Sequence, residues 1–239
     1  MIKCGLCPRG RSCWCRCSSP LGAAVVLAQG PKSPPLGPKY PPLSEYMMTR
    51  EAEVSLARSA APDNISAHAT VEILTPFGYR VAVQGDNGFV CTVMRGWMAP
   101  TYTPVPFRDF VYYAKLRAPI CFDPVASRTV LPYYELRTRL GMQGKDPDAI
   151  ARGVETAYAL GKLPKREGVS YAYMWSANQD LGPGIGAWRP HMMVFAPYYT
   201  NSMLGGNKIG SLPFVSDDGG TPFTVCVVPV SGNAAVQAK

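Results

Sequence analysis

Short apolar runs rich in β-branched residues mark the first half of the chain: ATVEIL (69–74), YRVAV (79–83) and FVCTVM (89–94). Runs of this length and composition predict strands. The tetrads TPFG and GDNG separate them, and both are turn-forming. The pattern predicts a three-strand antiparallel meander. Ahead of it, Met48, Ala52, Leu56, Ala57 and Ala60 fall on one face of a helix over 48–60. Pro62 disfavours helical geometry at the residue before it.

The stretch 95–119 carries four prolines interleaved with aromatic residues and reads as a long ordered loop. Two helices follow. Asp123-Pro124 and Asp146-Pro147 each set a capping acid before a proline at the first helical position, and Gly141 and Gly161 fall just past the far ends. Pro132 kinks or splits the first of them. Three further apolar runs, 169–176, 191–197 and 222–230, predict strands, and Asp217-Asp218-Gly219-Gly220 reads as a turn rather than a calcium loop. Strands, then helices, then strands is the order of an α+β fold. The expectation is an antiparallel sheet of about six strands with helices packed on one face.

Composition changes the picture mainly at the ends. With 47% hydrophobic and 17% charged residues, the chain has enough apolar material for a core. Pro31, Pro34, Pro35, Pro38, Pro41 and Pro42 make 29–45 an extended linker. Residues 1–28 read as a signal-like leader, with Lys3, Arg9, Arg11 and Arg16, then the apolar run LGAAVVLA ending at Ala28. That run is too short to span a bilayer. The five cysteines at 4, 7, 13, 15 and 17 suggest zinc, but they lack the separated knuckles of a zinc site, and the leader reading is preferred. One α+β domain is expected over 46–230, with a flexible tail at 231–239.

The leader carries half of the net charge of +8, and elsewhere acids and bases are interspersed. No basic stripe of the kind that grips nucleic acid stands out. The expected localisation is periplasmic or secreted. In that oxidising setting Cys91 and Cys121 are expected to form a disulfide, the alternative being two buried thiols. Cys226 reads as a core residue.

The segments ARSAAP (57–62), GDNGFVC (85–91), RGWMAP (95–100), APICFDP (118–124), ELRTRLGMQGK (135–145) and PHMMVFAPYY (190–199) resemble a set of exported bacterial proteins of unassigned function. The resemblance runs from about Tyr40 to Val230. It implies export and carries no activity, cofactor or catalytic residue. Several of those proteins have a second histidine where this chain has Arg189.

Candidate chemistry gathers at His191, which follows Trp188-Arg189-Pro190 and the glycine-rich stretch 181–188. Gly182, Gly184 and Gly186 do not make a dinucleotide site, because a strand rather than a helix follows them. A histidine near neutrality suits proton transfer, with Asp180 or Asp123 as the partner acid of a hydrolase. A second alternative is a metal or haem binder through His191, whose face on a strand Met193 shares. Two histidines, His68 and His191, with scattered acids fall short of a catalytic zinc set, so no metal site is assigned, and the identity of any cofactor stays open. Trp97, Trp175, Trp188, Arg189 and His191 are the candidate ligand-binding residues. The preferred reading is an exported domain that binds a small molecule or a cell-envelope component.

Overall fold

The computed structural model describes residues 40–98, 107–166, 168–206 and 213–230. The leader, most of the proline-rich linker and the tail therefore lie outside the described residues. Six α-helices occur among those described: α1 (Leu43–Tyr46), α2 (Arg50–Arg58), α3 (Asp63–Ser66), α4 (Pro124–Thr129), α5 (Leu131–Met142) and α6 (Pro147–Ala159). The strands are β1 (Thr70–Thr75), β2 (Gly78–Val83), β3 (Val90–Met94), β4 (Ala118–Phe122), β5 (Ser170–Met174), β6 (His191–Phe195), β7 (Phe214–Asp217) and β8 (Val225–Pro229). They form one sheet in the order β2-β1-β3-β4-β5-β6-β8-β7. The fold is α+β.

The sheet is larger than expected and is mixed. β1 and β2 form the anticipated hairpin around the TPFG turn, where the Thr75 hydroxyl donates to the Gly78 carbonyl at 2.6 Å. β3 does not continue a meander. It runs parallel to β1, pairing Thr70 with Val90 and Val71 with Cys91. Hydrogen bonds carry the connection across the start of β1: Asp86 N donates to His68 O, Asn87 Nδ2 to Ile65 O, and Thr70 N to Phe89 O. Gly85 permits the crossing, because a Cβ there would lie 2.3 Å from the Ala69 backbone. GDNG thus supplies a close backbone approach rather than a hairpin turn.

Two strands extend the sheet beyond the expected six. β4 falls in the stretch expected to be loop and in the start of the next helix signal. All five of its residues are buried, so its sequence shows no alternation. Pro119 is tolerated because β5 pairs only with Cys121 and Phe122, which leaves no partner waiting on that side for the missing N–H. β7 is a four-residue edge strand ahead of the Asp218 turn, too short to show a periodic signal.

Helices cover both faces of the sheet, not one. Successive strand residues point to opposite sides, and the core divides accordingly. Cys91, Val93, Cys121 and Val71 pack with Ala57, Ala60 and Ala61 at the end of α2. Ile120, Phe122, Ala172, Met193 and Phe195 pack with Leu131 and Tyr134 of α5 and Ile150 of α6. The Asp-Pro signals act as read: Asp123 and Asp146 accept from Ala126 N and Ala149 N at 2.6 and 2.7 Å. Pro132 marks the start of α5, so the first predicted helix is split into α4 and α5.

Ordered packing begins inside the segment assigned to the linker. The Tyr40 hydroxyl donates to the Lys145 carbonyl at 2.5 Å, and its ring meets Tyr112 edge-on at 4.8 Å. The disulfide expected from the sequence is present: Cys91 and Cys121 face each other across β3 and β4 and are joined. Cys226 is a buried free thiol.

Candidate functional site

The segment 179–191 leads from a folded loop into β6. Asp180 Oδ1 accepts from Gly182 N at 2.9 Å, and Leu181 N and Gly186 N close the loop onto Gly186 O and Gly182 O. Gly182, Gly184 and Gly186 all have positive φ, which is the reason glycine recurs there. Gln179 Nε2 donates to the Trp188 carbonyl at 2.6 Å and ties the far end of the loop to its start. The loop therefore delivers Trp188 and Arg189 to the head of β6 in a defined position.

His191 is the first residue of β6 and only 3 % exposed. Its ring stands edge-on to Trp188 with centroids 4.7 Å apart, and Trp188 in turn meets Phe214 at 6.2 Å. His191 Nδ1 lies 3.0 Å from the Arg189 carbonyl, so Nδ1 carries the hydrogen and donates it. Burial pushes the imidazole pKa down to about 4, against a smaller upward pull from that hydrogen bond. At neutral pH the ring is uncharged. Arg189, by contrast, is exposed and carries its guanidinium over the Trp188 ring at 5.4 Å.

The two candidate acids do not join this histidine. Asp123 caps α4, and Asp180 is held by Gly182 N and by the Tyr113 hydroxyl at 3.3 Å. Neither makes a hydrogen bond to His191. Burial raises the Asp123 pKa while three backbone N–H groups oppose the shift. Its carboxylate is engaged in holding the helix start and the β4–β5 pairing.

The five ligand-binding candidates also separate. Trp97 is 1 % exposed and stacked on Tyr46 at 4.1 Å, in the core under α5. Trp175 packs edge-on against Tyr173 at 5.1 Å, and Tyr173 stacks near Phe89 on the face that α2 covers further along. His191 pairs with Met174 across β5 and β6 and shares the opposite face. Trp188, Arg189 and His191 remain together; Trp97 and Trp175 belong elsewhere.

A second polar cluster escaped the sequence reading. Arg137 of α5 reaches Asp218 beyond β7, Nη2 to Oδ2 at 3.3 Å, with both side chains nearly withdrawn from solvent. Arg166 lies over the rings of Tyr133 and Phe195 at 5.7 and 5.2 Å. Burial lowers the Arg166 pKa, and the charge of Arg137 acts in the same direction. No local motif announces this cluster, because its members are 81 residues apart between Arg137 and Asp218. Among the described residues, no three His, Cys, Asp or Glu side chains gather as a metal set. No helix there is long and apolar enough to cross a membrane.

No protein-family model, no curated protein and no solved structure matches this chain.

Proposed function

We propose that the chain is an exported binding module that presents Trp188 and Arg189 to a small molecule or cell-envelope component. The observation that carries this reading is the braced pair itself. Arg189 is stacked over Trp188, and Trp188 is held edge-on by a buried, neutral His191. An aromatic ring beside an exposed guanidinium suits a ligand with a flat or apolar part next to an acidic group. His191 is a positioning residue in this arrangement. A hydrolase would instead need Asp123 or Asp180 to leave its backbone partners and approach the imidazole.

The direct test follows tryptophan fluorescence of the full chain titrated with soluble peptidoglycan fragments, which carry sugar rings and acidic groups. A saturable change that disappears in Trp188→Phe and weakens at least tenfold in Arg189→Gln is the expected result. An undiminished change in Trp188→Phe would remove this site from the reading. Export rests on the basic and apolar pattern of residues 1–28 and agrees with the Cys91–Cys121 bond. Fusing the full chain ahead of alkaline phosphatase, which is active only after export, checks it.

One observation favours a second reading. Met174 lies opposite His191 in the register, Met193 follows on the same face, and both are buried. Two thioethers beside a neutral imidazole are the donor types that suit a soft ion such as copper(I). Metal analysis of untagged chain purified without chelators decides between the two.

A further inference from the structure

A guanidinium buried against aromatic rings needs an anion or oxygen acceptors, since its N–H groups have lost water. Arg166 has neither on its most useful edge. Its Nε and Nη2 are both buried and both lack a hydrogen-bond partner. Those two nitrogens point their hydrogens the same way, along the edge that receives a carboxylate or phosphate with two parallel bonds. Arg137, 5 % exposed, repeats the situation in part: Nη2 has its long 3.3 Å contact to Asp218 Oδ2, while the buried Nε has no partner. Each guanidinium is flanked by ring faces, Arg137 by Tyr134 and Arg166 by Tyr133 and Phe195. The rings hold the charges flat and keep water from the donors.

We propose that Arg137 and Arg166 form a binding site for an oxyanion, the carboxylate or phosphate group of a small molecule. The anion takes the two unpartnered hydrogens of Arg166, on Nε and Nη2, and the Nε hydrogen of Arg137. Asp218 stays with Arg137 and holds it in place. The turn that carries Asp218 is built for this: Asp218 has φ 51°, and its carbonyl accepts from the hydroxyls of Thr221 and Thr224 at 2.6 and 3.0 Å. Tyr133 is fixed in turn by its hydroxyl, which donates to the Pro164 carbonyl at 2.6 Å, two residues before Arg166. Arg166 is the less buried of the two arginines.

The site is separate from Trp188 and is tested separately. Full chain is titrated calorimetrically with sodium phosphate in one arm and with acetate and succinate in another, each against sodium chloride at matched ionic strength. Saturable binding in either oxyanion arm, with a melting temperature that rises with that anion and not with chloride, is the expected result. The arm that saturates tells phosphate from carboxylate. Arg166→Lys keeps the charge and loses the two-hydrogen edge, and it is expected to weaken binding at least tenfold. Arg166→Gln weakens it further, and Trp188→Phe leaves it unchanged. Two results overturn the site: no saturable binding of any oxyanion to the unmodified chain, or wild-type affinity in Arg166→Lys.

Discussion

Glu53 of α2 and Arg95, just past β3, meet at 2.9 Å with both side chains essentially out of solvent. The remaining donors and acceptors of the pair are tied to backbone. Arg95 Nε donates to Tyr46 O and Nη1 to Val93 O, and Leu74 N donates to Glu53 Oε1. The pair thus joins α1, α2, β1 and β3 at one point. Removing one partner of a buried pair leaves an uncompensated charge, at a cost of about 3–5 kcal/mol. Glu53→Leu and Arg95→Met are each expected to destabilise by that amount in urea unfolding. Glu53→Leu combined with Arg95→Met should cost less than the sum of the two single changes.

The Cys91–Cys121 bond closes a separation of 30 residues. The chain-entropy model assigns such a loop about 3–4 kcal/mol. Because β3 and β4 also pair by hydrogen bonds over five residues, the reduced chain is expected to keep its fold at a lower melting temperature. Parallel thermal scans with and without dithiothreitol measure the difference, and a Cys91→Ala/Cys121→Ala double variant should melt like the reduced chain.

Glu72 of β1 and Glu135 of α5 share a hydrogen bond across the sheet–helix interface, with Arg80 and Arg139 nearby. Burial, and then the charge of Glu135, push the Glu72 pKa up to about 7 from its ordinary 4.5. Below pH 4.5 both folded and unfolded chains hold this proton. Between about 4.5 and 7 only the folded chain does, so this group's contribution to stability falls as pH rises, by about 3 kcal/mol at most. His191 acts in the opposite sense. Its folded pKa of about 4 means that stability is lost as pH falls from 6.5 towards 4. Comparing Glu72→Gln with the unmodified chain isolates the carboxyl. The variant should gain over the unmodified chain from pH 5 to 8, and a difference that stays flat over that range would contradict the shared proton.

Gly141, in the last turn of α5, is packed against Trp97. A Cβ there would lie 2.2 Å from Trp97 Cδ1, and Trp97 cannot retreat because it is stacked on Tyr46. Helix propensity alone favours alanine over glycine by about 1 kcal/mol. Overpacking costs about 1–3 kcal/mol and occasionally more. Gly141→Ala is therefore expected to lower the melting temperature, whereas Gly144→Ala tests only positive φ, since nothing lies near its Cβ position.

The helices after residue 123 and the hairpin at 70–83 were legible because caps, prolines and turn residues act within a few positions of themselves. Asp123 and Asp146 show this, each bonding the N–H three residues on. The disulfide was legible because Cys91 sits mid-strand and the export pattern favours oxidation. β4 was hidden by burial on both faces, which erases alternation, and by Pro119. Trp188, Arg189 and His191 were placed together because they are neighbours in sequence. Trp97 and Trp175 were grouped with them by composition, which does not say which face of the sheet a ring joins.

Local sequence by itself determined where most elements start and stop, because capping and turn formation depend on residues a few places apart. Only the tertiary structure decided that β3 runs beside β1, that helices cover both faces, and that Arg95 finds Glu53 while Arg137 finds Asp218. Those outcomes depend on which distant segments remove each other from water. A charge becomes costly to leave alone only once the packing around it is complete.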